Sequence, residues 1–260
     1  MTQQNFYYAD SNGNDFIIIL KDNLSINLNS STIKSLCNFQ DKPVDGLLLI
    51  DTNYKDYDFK MDYYNNDGTW ETMCVNGALC TINLLMQLEF HFYHHCFQAG
   101  DGSHHIKLNN NQISIKMISP EFKTEDIELH GISGSYIDSG AKHFVLRTKT
   151  VDDNQLYKIA QSIRYDNYFQ PDGLNVNFLN IISSNHINVI TYEKGIESIM
   201  QSCGSGSVAA AFYAASKQPL SSPLNVSNPG GSFTIRFNES WDNVWISGCP
   251  STPKLSFLDL

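Results

Sequence analysis

One cysteine-bearing segment occurs twice in this chain. Asp67-Gly68-Thr69-Trp70-Glu71-Thr72-Met73-Cys74-Val75-Asn76-Gly77 has its counterpart in Ser202-Cys203-Gly204-Ser205-Gly206-Ser207. Each sets a cysteine just before a small, glycine-containing turn and an apolar helical stretch. The two cysteines lie roughly 130 residues apart, about one small domain. A chain that presents the same reactive group from two similar halves can approach one atom from opposite sides, which is what inverting a carbon stereocentre requires.

The remaining pattern supports two α/β halves. Phe16 to Leu20 and Gly46 to Ile50 are short apolar runs bounded by Gly, Asp and Asn, as buried strands are. Ile113 to Met117 alternates as a half-buried strand does. The spacing of Ala78 to Leu88 predicts a helix that begins after Gly77. In the second half, Phe144 to Leu146, Val176 to Phe178 and Ile187 to Ile190 read as strands. Alanine-rich Val208 to Ala215 reads as a helix that begins after Ser207, and Asn228-Pro229-Gly230-Gly231 as a turn before the strand Phe233 to Phe237. The expected organisation is an N-terminal half over 1–120 carrying Cys74 and a C-terminal half over 121–249 carrying Cys203.

Composition removes several function classes. With 42% apolar and 17% charged residues the chain can build a packed core, and its net charge of −10 opposes binding to nucleic acid or to anionic membranes. The polar start Met1 to Asn5 lacks the pattern of a signal peptide, and no apolar run is long enough to span a bilayer. Cys37, Cys74, Cys80, Cys96, Cys203 and Cys249 therefore read as reduced cytoplasmic thiols.

A free thiol titrates near about pH 8.5, and a helix N-terminus favours its thiolate through exposed N–H groups and the positive end of the helix dipole. The same N–H groups hold a carboxylate. Two such turns facing each other would grip an amino acid's α-carboxylate, with one cysteine removing the α-proton and the other delivering a proton opposite. Gly77, Gly204 and Gly206 would allow close backbone approach, and Ser205 adds a hydroxyl. A lone cysteine beside a helix is ordinarily core packing; its repetition in corresponding positions argues otherwise. The cluster His91, His94, His95, Cys96, His104 and His105 fits no compact zinc spacing and reads as a solvated loop, and Cys80 as a core residue.

These segments fall in an order that resembles the diaminopimelate epimerase family of cofactor-independent racemases and epimerases. The resemblance rests on Gly13-Asn14-Asp15-Phe16, on Asn65 to Thr69 followed by Met73 to Cys80, and on Asn175-Val176-Asn177-Phe178. Tyr192 to Gly195, Cys203 to Gly206 and Pro229-Gly230-Gly231 complete it. It implies two pseudo-symmetric α/β halves, each a mixed sheet curled round a central helix, with the active site in the cleft between them. The last strand, about 250–260, would return to the first half. It also implies no pyridoxal phosphate, no metal and a homodimer. By position, Cys74 and Cys203 would be the acid/base pair. Val75, Asn76, Gly77, Gly204 and Ser205 would form the turns that bind the α-carboxylate. Asn14 and Glu193 would place the ammonium, Asn65, Asn175 and Lys194 would reach the far end, and His143 would lie near the cleft.

The chain departs from the family at Val75, where the family has glycine, at Ala141, where it has asparagine, and at Lys194, where it has arginine. Lysine cannot reproduce the two parallel hydrogen bonds of a guanidinium. The expected activity is inversion of LL- to meso-diaminopimelate. Two alternatives remain: a racemase of another amino acid such as histidine, with a changed distal pocket, and a catalytically silent amino-acid-binding module. The two cysteines separate the chain from phenazine-biosynthesis-type relatives, which use a carboxylate, and Asn76 from proline-racemase-like ones.

Overall fold

The computed structural model describes residues 3–39, 42–109, 112–148 and 152–259. Met1, Thr2 and Leu260, named in the readings of the two chain ends, lie outside them. The chain forms two compact units, one running to Ile115 and resuming at Ser247, the other Lys116–Ile246.

In the first unit the strands Gln3–Ser11 and Asn14–Leu20 form a hairpin, and a crossover through helix α1 (Ser30–Cys37) leads to the parallel strand Gly46–Asp51. Phe59–Asn65 pairs back antiparallel. A second crossover, through helix α2 (Val75–Gln87), leads to the parallel strand Cys96–Ala99 and its antiparallel partner Gly102–Asn109. Both faces of this sheet are covered, which explains its unbroken apolar runs. Ile17, Ile19 and Leu47 pack with Ile33 and Leu36 of α1. Leu48, on the opposite face by the period-two alternation of a strand, lies under Gly77 of α2. The chain's last described strand, Lys254–Asp259, pairs antiparallel with Gln3–Ser11. The segment leading to it is tied in by Ser114 Oγ to Ser247 Oγ at 2.7 Å and by the Asp10 N–H donating to Ser251 Oγ at 2.8 Å.

The second unit has the same order of connections. Ile132–Asp138 and Lys142–Arg147 form a hairpin, and helix α3 (Asp153–Arg164) crosses to the parallel strand Asn175–Ser183. His186–Glu193 pairs back antiparallel, and helix α4 (Gly204–Lys217) crosses to the parallel strand Leu224–Asn228 and its partner Gly231–Arg236. In both units a short strand folds back on the preceding one just before the second crossover helix: Trp70–Glu71 on Phe59–Asn65, and Ser198–Met200 on His186–Glu193. The fold is thus mixed α+β in two topologically matched halves, and the cysteines begin the same helix in each.

Three local expectations change. The segments after the cysteines are the first helical turns themselves, since α2 starts at Val75 and α4 at Gly204. The sheets carry a second helix each, α1 and α3. Asn29 caps α1 with a reciprocal capping box, its side chain accepting from the Ser31 and Thr32 N–H groups while Thr32 Oγ1 accepts from the Asn29 N–H. Asp152 caps α3 by accepting from the Gln155 N–H at 3.1 Å. The histidine cluster is a solvated loop only in part: His91, His94 and His95 are exposed in a loop, whereas Cys96 and His105 pair across a hairpin and His104 is buried, bonded to Asp101 at 2.9 Å and stacked on Phe97. Cys80 is buried in the first core, as read from its place on the helix. Among the described residues no helix is long and apolar enough to cross a membrane.

Candidate active site

Cys74 is the N-cap of α2, half-exposed, in extended conformation with its carbonyl accepting the Ala78 N–H at 2.9 Å. The helix therefore opens with the N–H groups of Val75, Asn76 and Gly77, the donors that have no partner within a helix. Val75 is only 5% exposed, so its bulk goes into packing. Gly77 lets α2 settle on the sheet: a Cβ there would come 2.9 Å from Leu48 Cδ2.

Asn76 is buried, and its amide is engaged by the hairpin turn of the first two strands. Its Oδ1 accepts from Ser11 Oγ at 3.2 Å and Asn12 Nδ2 at 3.3 Å, and its Nδ2 donates to Asn14 Oδ1 at 2.7 Å. Asn14 Nδ2 donates in turn to Asp45 Oδ2 at 2.9 Å. Burial pushes the Asp45 carboxyl up, against the pull of these donors. The Asn76 side chain thus locks the helix start to the turn at Asn12-Gly13, where φ is positive at both residues. Asn65 ends its strand half-buried in the turn before Cys74, accepting from Tyr63 Oη at 2.9 Å and donating to Thr69 Oγ1 at 3.1 Å.

In the second unit Cys203 is the N-cap of α4, half-exposed, and its sulfur accepts the Gly206 N–H at 3.4 Å. Behind it runs a buried polar chain. Thr191 Oγ1 donates to Asn177 Oδ1 at 2.7 Å, which turns the Asn177 Nδ2 toward His143 Nδ1 at 2.8 Å. With Nδ1 accepting, the His143 Nε2–H donates to Ser205 Oγ at 3.0 Å. The Ser205 hydroxyl proton is then directed to Cys203 Sγ at 3.5 Å. His143 is fully buried, and burial lowers its pKa to about 3, so it is neutral, as this chain of donors requires. Ser139 Oγ donates to the Ser205 carbonyl at 2.8 Å and holds the same turn from the strand side.

The Cys203 thiol is raised in spite of its place at a helix N-terminus. Burial pushes it up to about 12, the Glu193 carboxylate adds to the rise, and the bonds from Ser205 and Gly206 pull the other way. Desolvation outweighs the helix end here, and Cys203 rests as a thiol. Glu193 is the last residue of its strand and half-buried. Asn175 Oδ1 accepts the Lys194 N–H at 2.8 Å, while the Lys194 side chain is exposed near Asp172.

The sequence-derived residues thus collect in two groups. One joins Cys74, Val75, Asn76, Gly77 and Asn14 at the start of α2, with Asn65 in the preceding turn. The other joins Cys203, Gly204, Ser205, His143 and Glu193 at the start of α4, with Asn175 and Lys194 at the strand ends. Sequence reasoning gave no role to Ser11, Asn12, Asp45, Thr191 or Asn177. Only Asn177 left a signal: it lies two residues from Asn175 in a strand and so shares its face. Among the described residues no group of three metal-ligating side chains occurs.

A family model described as diaminopimelate epimerase matches residues 135–247. A diaminopimelate epimerase from Flavobacterium psychrophilum is 31% identical over 250 residues, covering 93% of this chain and 95% of its own. That of Aquifex aeolicus is 30% identical over 262 residues, covering 94% and 93%. Among solved structures, a hydroxyproline epimerase from Agrobacterium vitis matches with a TM-score of 0.72 at 12% identity, over 99% of this chain and 92% of that one. A PhzF-family phenazine biosynthesis protein from Bacillus anthracis matches at 0.69 and 14% over the whole of both chains. At such identities these structures share the fold, whereas the sequence relatives share near 30% of their residues over almost the full length. The chain belongs to the diaminopimelate epimerase family.

Proposed function

We propose that this isomerase inverts one α-carbon of diaminopimelate, LL to meso, without pyridoxal phosphate, using Cys74 and Cys203 as its acid and base. The observation that carries the reading is the duplicated N-cap cysteine, one at the start of the second crossover helix of each matched half. In this mechanism a thiolate takes the α-proton from one face while the other cysteine, as thiol, gives its proton to the opposite face. The carbon changes configuration and the two sulfurs exchange protonation states. Cys203, pushed up by burial, is the thiol of the resting pair and the proton donor of the first turnover. When it becomes the thiolate, the Ser205 hydroxyl and the Gly206 N–H stabilise it. The N–H groups opening α2 and α4 receive the α-carboxylate. Asn14 and Glu193 receive the ammonium, and Asn65, Asn175 and Lys194 the distal end.

The same reading puts the enzyme in the cytoplasm, where its cysteines stay reduced, on the route to lysine and peptidoglycan, and as a homodimer. Ala141 and Lys194, the departures from the family, bear on the choice of substrate. The test is α-hydrogen exchange in D₂O, followed by NMR, with diaminopimelate stereoisomers, histidine and other amino acids offered separately to the reduced protein. Exchange and inversion with diaminopimelate are expected. Exchange confined to another amino acid would assign a racemase with a remodelled distal pocket, and thermal stabilisation by an amino acid without exchange would indicate a binding module.

A further inference from the structure

The turn after strand His186–Glu193 is gripped from outside the cysteine site. Arg164, the last residue of α3, donates to Glu197 Oε1 through Nε at 3.2 Å and Nη2 at 3.0 Å. The same oxygen accepts the Gly195 N–H at 3.0 Å, and the Glu197 N–H closes the turn onto the Glu193 carbonyl at 2.8 Å. The arginine side chain is only 12% exposed, so this pair is better shielded from solvent than a surface ion pair. Its other face fills a second loop. Gly173 has φ +63°, and a Cβ there would collide with Arg164 Nη1. That loop leads directly into Asn175, whose Oδ1 accepts the Lys194 N–H.

One guanidinium therefore holds both segments that carry the distal group. We infer that Arg164, through Glu197 and Gly173, is a positioning residue that sets how Glu193, Lys194 and Asn175 meet the substrate, and so helps determine specificity. This rests on the assignment of those three residues to substrate under the proposed function. Tyr157, two turns earlier on α3, reinforces the grip: its Oη lies 3.0 Å from Ser198 Oγ and accepts the Ile199 N–H at 3.4 Å. The first unit closes its matching turn by Asp67 Oδ1 accepting from the Thr69 N–H at 2.8 Å, with Ser30 of α1 donating to the Gly68 carbonyl at 3.5 Å. The second unit's turn is gripped by a charged pair from its helix and itself bears the cation Lys194.

The test compares wild type with Arg164→Lys, Glu197→Gln and the double variant. Lysine loses the fork, and glutamine keeps the shape and the acceptor for Gly195 while losing the charge. Steady-state inversion of diaminopimelate should show KM raised about tenfold and kcat changed less than about threefold, because the loss falls on substrate positioning. The double variant should be no worse than the single ones, as for one connected unit. Amide hydrogen exchange at Lys194 and Gly195 should quicken in Arg164→Lys, a readout that needs no substrate. Unchanged KM in both single variants, kcat loss at constant KM, or unchanged protection at those two amides would overturn the inference. If the wild type leaves diaminopimelate untouched, the proposed substrate fails first; KM for the amino acid it does accept, with amide protection, then decides on Arg164.

Discussion

His143 shows how a single side chain couples the site to the stability of its unit. Burial holds it neutral with a pKa of about 3, against an ordinary 6.5. Below pH 6.5 the unfolded chain binds a proton that the folded chain refuses. This contribution is therefore fully present above the unfolded pKa and is lost as pH falls from 6.5 toward 3, by about 1.4 kcal/mol per pH unit. The difference in unfolding free energy between wild type and His143→Gln should change with that slope across this window in denaturant titrations; a pH-independent difference would contradict a neutral, buried histidine. At this scale the two cysteines stood out in the sequence because their turn recurs in corresponding positions, and His143 only through the resemblance to the family. The use of the Asn76 amide was not legible, because its partners Ser11, Asn12 and Asn14 come together only through the fold of a distant hairpin.

Among the elements, α2 and α4 begin alike but their glycines serve different ends. At Gly77 an added methyl meets the ends of the Leu48 side chain, at 2.9 and 3.1 Å, which a rotamer change can relieve. At Gly206 it meets Asn177 Oδ1, Thr191 Oγ1 at 3.0 Å and Cys203 Sγ at 3.3 Å, all fixed by hydrogen bonds. Helix propensity alone favours alanine over glycine by about 1 kcal/mol. Gly206→Ala should nevertheless destabilise the protein by about 1–3 kcal/mol, the usual cost of overpacking, and lose most turnover, while Gly77→Ala stays within about 1 kcal/mol of wild type, since its gain in propensity offsets a movable contact. Melting curves and exchange rates decide this, and a stabilised, active Gly206→Ala would count against the polar chain. The strands and the two alanine- or leucine-rich helices were readable from apolar runs. Helix α3 was also readable in principle, since Leu156, Ala160 and Ile163 lie at helical spacing on its buried face. Helix α1 is too short and polar for periodicity to show, and only its capping box marks it. The first turns of α2 and α4 read as loops because glycine and serine are poor helix formers; there the N-cap cysteine and the packing of each helix on its sheet outweigh propensity.

Over the whole molecule the repeat is one of topology: hairpin, crossover helix, returning strand, short fold-back strand, second crossover helix. Little sequence outside the cysteine turns repeats, because each half needs only apolar strands and helices of the right length, and many sequences meet that need. Each half starts the same helix with a cysteine, and it is on this duplication that the proposed two-cysteine mechanism rests. The decisive measurement is α-hydrogen exchange and inversion of diaminopimelate in D₂O by wild type, Cys74→Ala and Cys203→Ala, with each variant's fold checked by circular dichroism. The account predicts that wild type inverts the centre and takes deuterium from solvent at the α-carbon, and that neither folded variant inverts it. Near-normal inversion by either single variant would contradict a two-cysteine mechanism.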